Sequence, residues 1–448
     1  MSYYQLIGYI FKILVIVSPL YLLIFCSSDF YCKAIKCFLC LGCTFCYDYR
    51  VFSVSLMQMI MVMITVFSLG QNRYKCDVDR ERFKTVVIFY LIYICIVTFI
   101  GYMVKSDYIL KGSIVQNQLR PVVQSLQHIC TYVMVLVVMS FDYKDAVDIY
   151  KSFYACLKLV AVIAICQSVI YKITAFDIIP MRKDFISETS GLSVVAKFGF
   201  LRASAGVGEP KQAAKFISLG IAINLLGGDT FGRDRASVRD LILFLFAMFF
   251  TFSTTGYIIT AIILILFCLK KISQGNSLLT IACVMSAVIL IVFVVQSPVI
   301  TDKITKGIAA GEVWGLEDTD STVVYWLMAE PRFLICGTGI ANVACYAYKY
   351  VPVDRSYVLG YPFTLRRGVV KFLADGGVIC LAFQVCMMLF LYGKIKKNEG
   401  VKYFAIFLLL MFFLLTCEAM FEVELILFAL LYALSKRSDN VHEFASCE

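Results

Sequence analysis

The stretch from Leu201 to Lys215 carries the residue types best suited to chemistry, because it closes a polar segment and opens an apolar one. Pro210 suits the first turn of a helix, and the small residues before it leave backbone N–H groups accessible to an anion. Arg202, Lys211 and Lys215 place positive charge beside that helix start. The pattern predicts a diphosphate-binding site; the alternative interpretation is an ordinary helix start whose lysines reach lipid headgroups.

A second basic group, Arg366 and Arg367, stands where the longest polar interval ends and the next apolar segment begins. On the outer side of a membrane, such residues run against the usual bias of Lys and Arg towards the cytoplasm. We expect them to bind an anionic substrate, with contact to lipid phosphates as the alternative. Three acidic residues of a later apolar hairpin, Glu418, Glu422 and Glu424, are predicted either to face a cavity or to reach water at the hairpin tip.

Metal, nucleotide and nucleic-acid chemistry find little support in the sequence. His128 lies in an apolar run and His442 near the end of the chain, so a His-based metal site or a Ser-His-Asp triad is not expected. Neither a P-loop nor a G-x-G-x-x-G motif occurs. The D-x-D at 318–320 and the Cys-x-x-Cys spacing over 37–46 are weak metal signals. We therefore predict no metal, no cofactor and no nucleic acid.

The elements that must position these residues are membrane-spanning helices. Of the 448 residues, 61% are hydrophobic and 16% are charged, and the mean hydropathy is +0.84. This is more apolar surface than one water-facing core can bury. The net charge of +10 comes from short basic groups between apolar runs, the pattern of cytoplasmic loops. The sequence predicts an all-α, polytopic integral membrane protein with about 12 transmembrane helices in a single domain over residues 1–448.

The basic group over 73–84 anchors the predicted topology on the cytoplasmic side. The single crossings that alternate along the chain are predicted at 6–26, 85–104, 121–139, 153–171, 212–228, 278–296 and 367–392. The first of them is expected to stay in the membrane rather than be cleaved as a signal peptide. Residues 27–70 allow two interpretations, one crossing preceded by an interfacial segment or two crossings.

Two apolar hairpins complete the predicted topology. The first spans 240–269 and turns at Phe252–Gly256, and because each half is short for a full crossing, its turn is expected to line a cavity below the outer surface. The second spans 403–434. Two sizeable outer loops result, 172–211 and 297–366.

Four segments, in their order along the chain, resemble the O-antigen polymerase (Wzy) family, which belongs with the O-antigen ligases to a larger group of lipid-linked glycan transferases. They are Arg202-x-x-x-Gly206-x-x-Glu209-Pro210-x-x-Ala213, Phe252-Ser253-Thr254-Thr255-Gly256, Trp326 through Pro331 to Gly337-Thr338-Gly339, and Arg366-Arg367 through Asp375-Gly376-Gly377. Lys211 stands where the family pattern has Asn, and the second segment lacks a frequent Arg. The ligases commonly have a His near the position of Arg366 and Arg367, and its absence here favours polymerase over ligase.

The resemblance implies a GT-C-like architecture and a metal-independent glycosyltransferase. The implied reaction moves a growing glycan from undecaprenyl diphosphate to a sugar hydroxyl of a new undecaprenyl-diphosphate-linked repeat unit, at the periplasmic face of the bacterial inner membrane. The side chains implied to bind the diphosphate, where negative charge grows as the glycosidic bond breaks, are Arg202, Lys211, Arg366 and Arg367. Glu209, and after it Asp375, are the implied acceptors of the hydroxyl proton.

The implied partners are the lipid-linked oligosaccharide, as donor and acceptor, together with membrane lipids, a chain-length regulator protein and a flippase. Two other functions stay open: O-antigen ligase, which shares the donor and differs in the acceptor, and polysaccharide transporter or flippase. Transporters usually show internal repeats and paired charges near the midplane of several helices. In this sequence the charges gather at the outer ends of the crossings, which favours a transferase.

Overall fold

The computed structural model of the protein describes residues 29–44, 50–51, 54–69, 78–104, 114–174, 200–207, 210–226, 237–272, 319–343, 368–399 and 421–436, with the single positions 281, 284, 285, 288, 346, 365, 406 and 410. The helices in these ranges are α1 (Phe30–Thr44), α2 (Leu56–Leu69), α3 (Val78–Val104), α4 (Ile114–Met139), α5 (Tyr143–Thr174), α6 (Pro210–Leu226), α7 (Val238–Thr251), α8 (Thr254–Ile272), α9 (Thr319–Ala329), α10 (Pro331–Cys336), α11 (Gly368–Glu399) and α12 (Phe421–Ser435). Two antiparallel strands of two residues each, β1 (Arg50–Val51) and β2 (Val54–Ser55), lie between α1 and α2 in the sequence.

Among the described residues, four helices are long and apolar enough to cross a membrane: α3, Pro121–Met139 of α4, α5, and Gly368–Ile395 of α11. The predicted crossings at 85–104, 121–139, 153–171 and 367–392 fall on these helices. The prediction of an all-α protein embedded in a membrane is therefore confirmed for the part of the chain that the structure describes. Much of the two predicted outer loops, and the crossings at 6–26 and 278–296 apart from isolated positions, lie outside the described residues.

The pattern of α3 shows why such a segment becomes a membrane-spanning helix. Its buried side chains recur every three or four residues, at Phe83, Val87, Tyr90, Ile94, Thr98 and Gly101. The opposite face exposes large apolar side chains such as Phe89, Ile92 and Ile96. A helix that is apolar on every side can bury one face against protein and the other against lipid.

The shorter elements bear on the predicted topology. A turn divides the predicted hairpin over 240–269, because α7 ends at Thr251 and α8 begins at Thr254, and the place of this turn in the membrane stays a prediction. The described part of residues 27–70 contains helices of 15 and 14 residues, α1 and α2, each shorter than the roughly 20 residues that a straight crossing needs, and both interpretations of this stretch stay open. The segment predicted at 212–228 forms α6, which has 17 residues.

The chain folds as two compact units, and the prediction of a single domain stays a prediction. Unit 1 comprises Met1–Ile60 and Val147–Lys306. Its centre is α6, which is buried on all sides from Ala213 to Leu226 and packs against α7 and α8. Gly220 lets the ring of Phe244 approach the α6 backbone, because a Cβ there would lie 2.5 Å from the ring.

Unit 2 comprises Met61–Ala146 and Gly307–Glu448. In it, α11 packs against α3 and α12, and α4 packs against α3 and α12. The short helices α9 and α10 also pack against α11, through a small core formed by Val323, Trp326, Leu327, Val343, Val370 and Ala374. This core attaches part of the long predicted outer loop to a membrane-spanning helix.

Candidate functional site

The Arg202 loop, residues 201–207, is held in unit 1 by hydrogen bonds with α5, chiefly with the buried amide of Gln167. Gln167 of α5 accepts hydrogen bonds from the backbone N–H groups of Ser204 and Ala205, both at 3.0 Å. The neighbouring Ser168 hydroxyl donates to the carbonyl of Leu201 at 2.7 Å. Because Ala205 adopts a left-handed conformation with φ of 51°, its N–H has no regular secondary structure to join, and Gln167 replaces that structure.

The same loop contacts the turn between α7 and α8. The Ala203 N–H donates to the carbonyl of Phe250 at 2.9 Å, and Nη2 of Arg202 lies 3.4 Å from the carbonyl of Phe252. Phe252 ends α7 in the left-handed conformation, and Ser253 caps the start of α8 by accepting the Gly256 N–H at 3.3 Å. Two segments that carry the family-like motifs, 50 residues apart in sequence, are thus in direct contact.

Positive charge collects around the Arg202 loop. Arg202 and Lys211 are half-buried, and Lys215, one helical turn beyond Lys211, is only 5% exposed. Lys172, in the last turn of α5, lies 5.3 Å from the ring centre of Phe200, which precedes the loop. Lys211 and Lys215 share one face of α6 because they are four residues apart. The arrangement can attract an anionic group to the start of α6.

In unit 2 the central feature is the α11 break at Gly376 and Gly377, where the backbone leaves helical geometry. Asp375 is the last residue before this break and is 7% exposed. Lys371 lies one turn earlier on the same helix. A break in a buried part of a helix releases backbone carbonyls that need new donors, because a buried carbonyl without a hydrogen bond is costly.

The docking loop, residues 337–342, meets this break directly. The N–H groups of Thr338 and Gly339 donate to the carbonyls of Ala374 and Asp375, at 2.9 and 2.7 Å. Gly337 and Gly376 are in close contact, because a Cβ on Gly337 would lie 2.5 Å from the Gly376 backbone. The third and fourth motif-bearing segments are therefore hydrogen-bonded to each other.

The docking loop also contacts α3. The hydroxyl of Thr98 accepts the Ile340 N–H at 3.0 Å, and the Asn342 side-chain amide donates to the Thr98 carbonyl at 3.1 Å. Tyr346 donates to the carbonyl of Gly101 at 2.6 Å and packs beside the rings of Trp326 and Phe333. Tyr346 therefore joins the docking-loop region to α3 and to the core around Trp326.

Buried polar side chains continue along α11 beyond the break. The Tyr90 hydroxyl lies 2.6 Å from Nε2 of His128, and Nε2 of Gln384 lies 2.6 Å from the Tyr132 hydroxyl. Tyr90 and His128 are hydrogen-bond partners, as are Tyr132 and Gln384. His128 therefore belongs to a buried hydrogen-bonded cluster.

The acidic residues predicted at the tip of the second hairpin belong to unit 2. Nε2 of Gln127 donates to Glu422 at 2.7 Å, and Glu424 is 2% exposed. Both glutamates stand in the first turn of α12, whose dipole favours negative charge. This placement favours an interior position over a tip that reaches water, while Glu418 lies outside the described residues.

The predicted site residues fall in different parts of the structure. Arg202 and Lys211 belong to unit 1 and lie on adjacent segments, whereas Asp375 belongs to unit 2. The remaining three, Glu209, Arg366 and Arg367, lie outside the described residues. The described part of the chain holds no group of three or more His, Cys, Asp or Glu side chains that could bind a metal ion.

The sequence does not single out two residues that position these segments, one in each unit. Gln167 holds the Arg202 loop, and Tyr93 of α3 contacts the α11 break. Gln167 carries a recognisable signal, since a polar amide inside an apolar crossing usually faces protein rather than lipid. Tyr93 carries no such signal, because aromatic residues are common in membrane helices.

The chain matches no protein-family model, and no curated protein is significantly similar to it.

Proposed function

We propose that this protein is a surface-polysaccharide polymerase of the O-antigen type. It would transfer a growing glycan from undecaprenyl diphosphate to a sugar hydroxyl of a new lipid-linked repeat unit at the periplasmic face of the bacterial inner membrane. The observation that carries the proposal is the pairing of the four motif-bearing segments, the first with the second in unit 1 and the third with the fourth in unit 2. Sequence order alone does not require either pairing.

The proposed reaction breaks the bond between the anomeric carbon and the diphosphate oxygen, and forms a bond to the acceptor hydroxyl oxygen. The leaving group is undecaprenyl diphosphate, on which negative charge grows. Arg202 and Lys211 would stabilise that charge, aided by Arg366 and Arg367, because cations fixed beforehand cost no reorganisation during the reaction. The hydroxyl proton would pass to a carboxylate, Glu209 or Asp375.

The proposal extends to architecture and partners. About 12 crossings in a GT-C-like arrangement are proposed, and four helices in the described part of the chain are long and apolar enough to be such crossings. A flippase would supply the lipid-linked units to the outer face, and a chain-length regulator would act on the same growing polymer. The energy for transfer would come from the diphosphate linkage, so neither a nucleotide nor a cofactor is required.

A second candidate function, polysaccharide transport, is favoured by one observation. The α11 break places an acidic residue, Asp375, beside irregular backbone inside a membrane-spanning helix. Discontinuous helices of this kind form substrate and ion sites in secondary transporters. Transport and polymerisation differ in product, because only polymerisation changes the length of the glycan.

The deciding experiment uses purified protein with lipid-linked repeat units in detergent. We expect a ladder of longer glycans without added nucleotide or divalent metal. Arg202→Ala should lower the rate by about 100-fold or more, the loss that follows removal of one charge-stabilising donor. Arg332→Ala is the matched control, since Arg332 is 74% exposed and should leave the rate unchanged.

Three outcomes are informative. A ladder that disappears with Arg202→Ala supports the polymerase. Unchanged glycan length, together with movement of the lipid-linked unit across proteoliposome membranes, would replace it with the transporter. Transfer onto a lipid-core acceptor, with no extension of repeat units, would point to the ligase.

A further inference from the structure

The α11 break is packed between α3 and α10 inside unit 2. Asp375 is 7% exposed and Gly376 is buried. On α3, Tyr93 contacts the break and Cys336, and Thr98 contacts the docking loop.

At a buried break, every released carbonyl needs a protein donor. The docking loop serves the first two, since the N–H groups of Thr338 and Gly339 donate to Ala374 and Asp375. The third carbonyl, of Gly376, accepts from the Tyr93 hydroxyl at 2.7 Å. Three successive carbonyls around the break are thus satisfied, two by the loop and one by α3.

Tyr93 differs from the other donors because it touches both sides of this junction. Its hydroxyl also lies 3.3 Å from the carbonyl of Cys336, the last residue of α10. One side chain therefore links α3 to the end of α10 and to the α11 break. Gly337 and Gly376 are in close contact, so the docking loop and the α11 break are packed directly against each other. Close packing fixes their relative position.

We infer that Tyr93 is a positioning residue that fixes Asp375 for the transfer reaction, acting through the Gly376 carbonyl and the docking loop. The inference rests on the proposed function. Tyr93 does not bond the Asp375 side chain; it holds the peptide segment that follows Asp375 and the loop that caps the Asp375 carbonyl. Removing its hydroxyl leaves one buried carbonyl without this donor and frees the break to shift.

The test compares Tyr93→Phe with Tyr346→Phe in the purified full-length protein. Both variants lose a tyrosine hydroxyl that donates to a backbone carbonyl and helps tie the docking-loop region to other elements, but Tyr346 donates to Gly101 and leaves the break untouched. We expect Tyr93→Phe to lower kcat about tenfold with KM for the lipid-linked unit unchanged, since misplacement of a reacting group impairs the chemical step. Tyr346→Phe should keep the wild-type kcat.

A second measurement needs no activity. Cys380 is buried beside Gly376, whereas Cys386 on the same helix is exposed. N-ethylmaleimide should modify Cys386 equally in all proteins, and should modify Cys380 faster in Tyr93→Phe than in wild type or Tyr346→Phe. Peptide mass spectrometry measures the ratio of the two alkylation rates.

A third variant covers the case in which Tyr93→Phe does not fold. Thr338→Val removes the hydroxyl bond to the Ala374 carbonyl at 3.0 Å and keeps the backbone N–H donor. It should shift kcat and Cys380 alkylation in the same directions by smaller factors, whereas Thr338→Ser should match wild type.

The possible failures are separable. Active wild-type protein, with Tyr93→Phe at wild-type kcat and Cys380 still protected, would overturn the inference and leave the polymerase intact. Wild-type protein that never extends a glycan would overturn the polymerase, and the positioning role would fall with it. A lowered kcat shared equally by Tyr346→Phe would also overturn the inference, because any loss of loop attachment would then suffice.

Discussion

Gln167 shows how one side chain can set the geometry of a charged loop. The amide lies on α5 and is fully buried, and its oxygen accepts two successive N–H groups of the Arg202 loop. The loop has an irregular backbone, so it depends on side chains for this purpose. The position of Arg202 therefore depends on a residue 35 positions away that carries no charge.

Gln167→Leu should destabilise the protein and weaken the proposed transfer. Two buried N–H groups would lose their acceptor, which should lower the free energy of unfolding by about 2 kcal/mol or more. Denaturant titration in mixed micelles measures this change. Cys166→Ala is the control, because Cys166 is exposed on the same helix and its removal should change the free energy by less than about 0.5 kcal/mol. Equal stability of Gln167→Leu and the control would contradict the role assigned to the amide.

At this scale the sequence identifies residues with unusual chemistry better than residues that support them. Arg202 and Asp375 were predicted because a cation and an acid beside apolar runs are unusual, and the structure shows Arg202 half-buried and Asp375 buried. Gln167 and Tyr93 were missed because their importance comes from the backbone groups that they meet. Those backbone groups come from segments distant in sequence, and periodicity within one helix does not reveal such contacts.

Among the elements, α11 is interrupted at Gly376 and Gly377, and this break forms the junction with the docking loop. Gly377 has φ of +66°, a conformation that side chains with a Cβ rarely adopt, and a Cβ there would overlap the Ile335 carbonyl. The break is therefore defined by glycine chemistry and by close contact with α10. A continuous helix through this point would remove the junction with the docking loop.

Gly377→Ala and Gly393→Ala should have opposite effects although both lie in α11. Gly377→Ala should lower the free energy of unfolding by about 3 kcal/mol, from backbone strain and the overlap with Ile335. Gly393 has no atom within 4 Å of an added Cβ, so Gly393→Ala should raise it by about 0.5–1 kcal/mol through helix propensity. Denaturant titration of the two variants tests the pair. A neutral Gly377→Ala would show that the break does not need glycine.

The sequence predicts the long apolar helices well, because hydropathy identifies them. It predicts breaks and loop contacts poorly, because these depend on tertiary contacts. The crossings at 121–139 and 367–392 follow from long apolar runs. The break in α11 does not, because Gly376 and Gly377 are tolerated in an ordinary membrane helix as well. The docking loop was predicted only as part of the outer loop 297–366, and its hydrogen bonds to α3 and α11 join segments distant in sequence.

At the scale of each unit, contacts between helix ends give a check on topology that is independent of hydropathy. In unit 2, Nζ of Lys394 lies 2.7 Å from Asp79, joining the end of α11 to the start of α3. Lys436 donates to the carbonyl of Met139 at 2.8 Å, joining the ends of α12 and α4. These ends are the ones that the positive-inside rule assigns to the cytoplasm.

Contacts between helix ends also define the arrangement of unit 1. The end of α6 meets the start of α7, because Asn224 exchanges two hydrogen bonds with the backbone of Ser237. The Arg202 loop meets α5 at Gln167 and the turn that follows α7. The loop and the Asn224–Ser237 junction thus stand at opposite ends of α7.

These contacts lead to a prediction for the whole molecule in cells. Alkaline phosphatase fused after Thr174 or Leu365 should be active, and green fluorescent protein fused there should be dark, because both positions are predicted to face the periplasm. Fusions after Asp142 and Lys436 should give the reverse pattern. The fusion at Asp142 is the more demanding control, since acidic residues around it weaken the charge signal although they count little towards orientation. If Thr174 and Leu365 reported opposite faces, Arg202 and the arginines at 366 and 367 would not share a compartment, and no single diphosphate could meet them all.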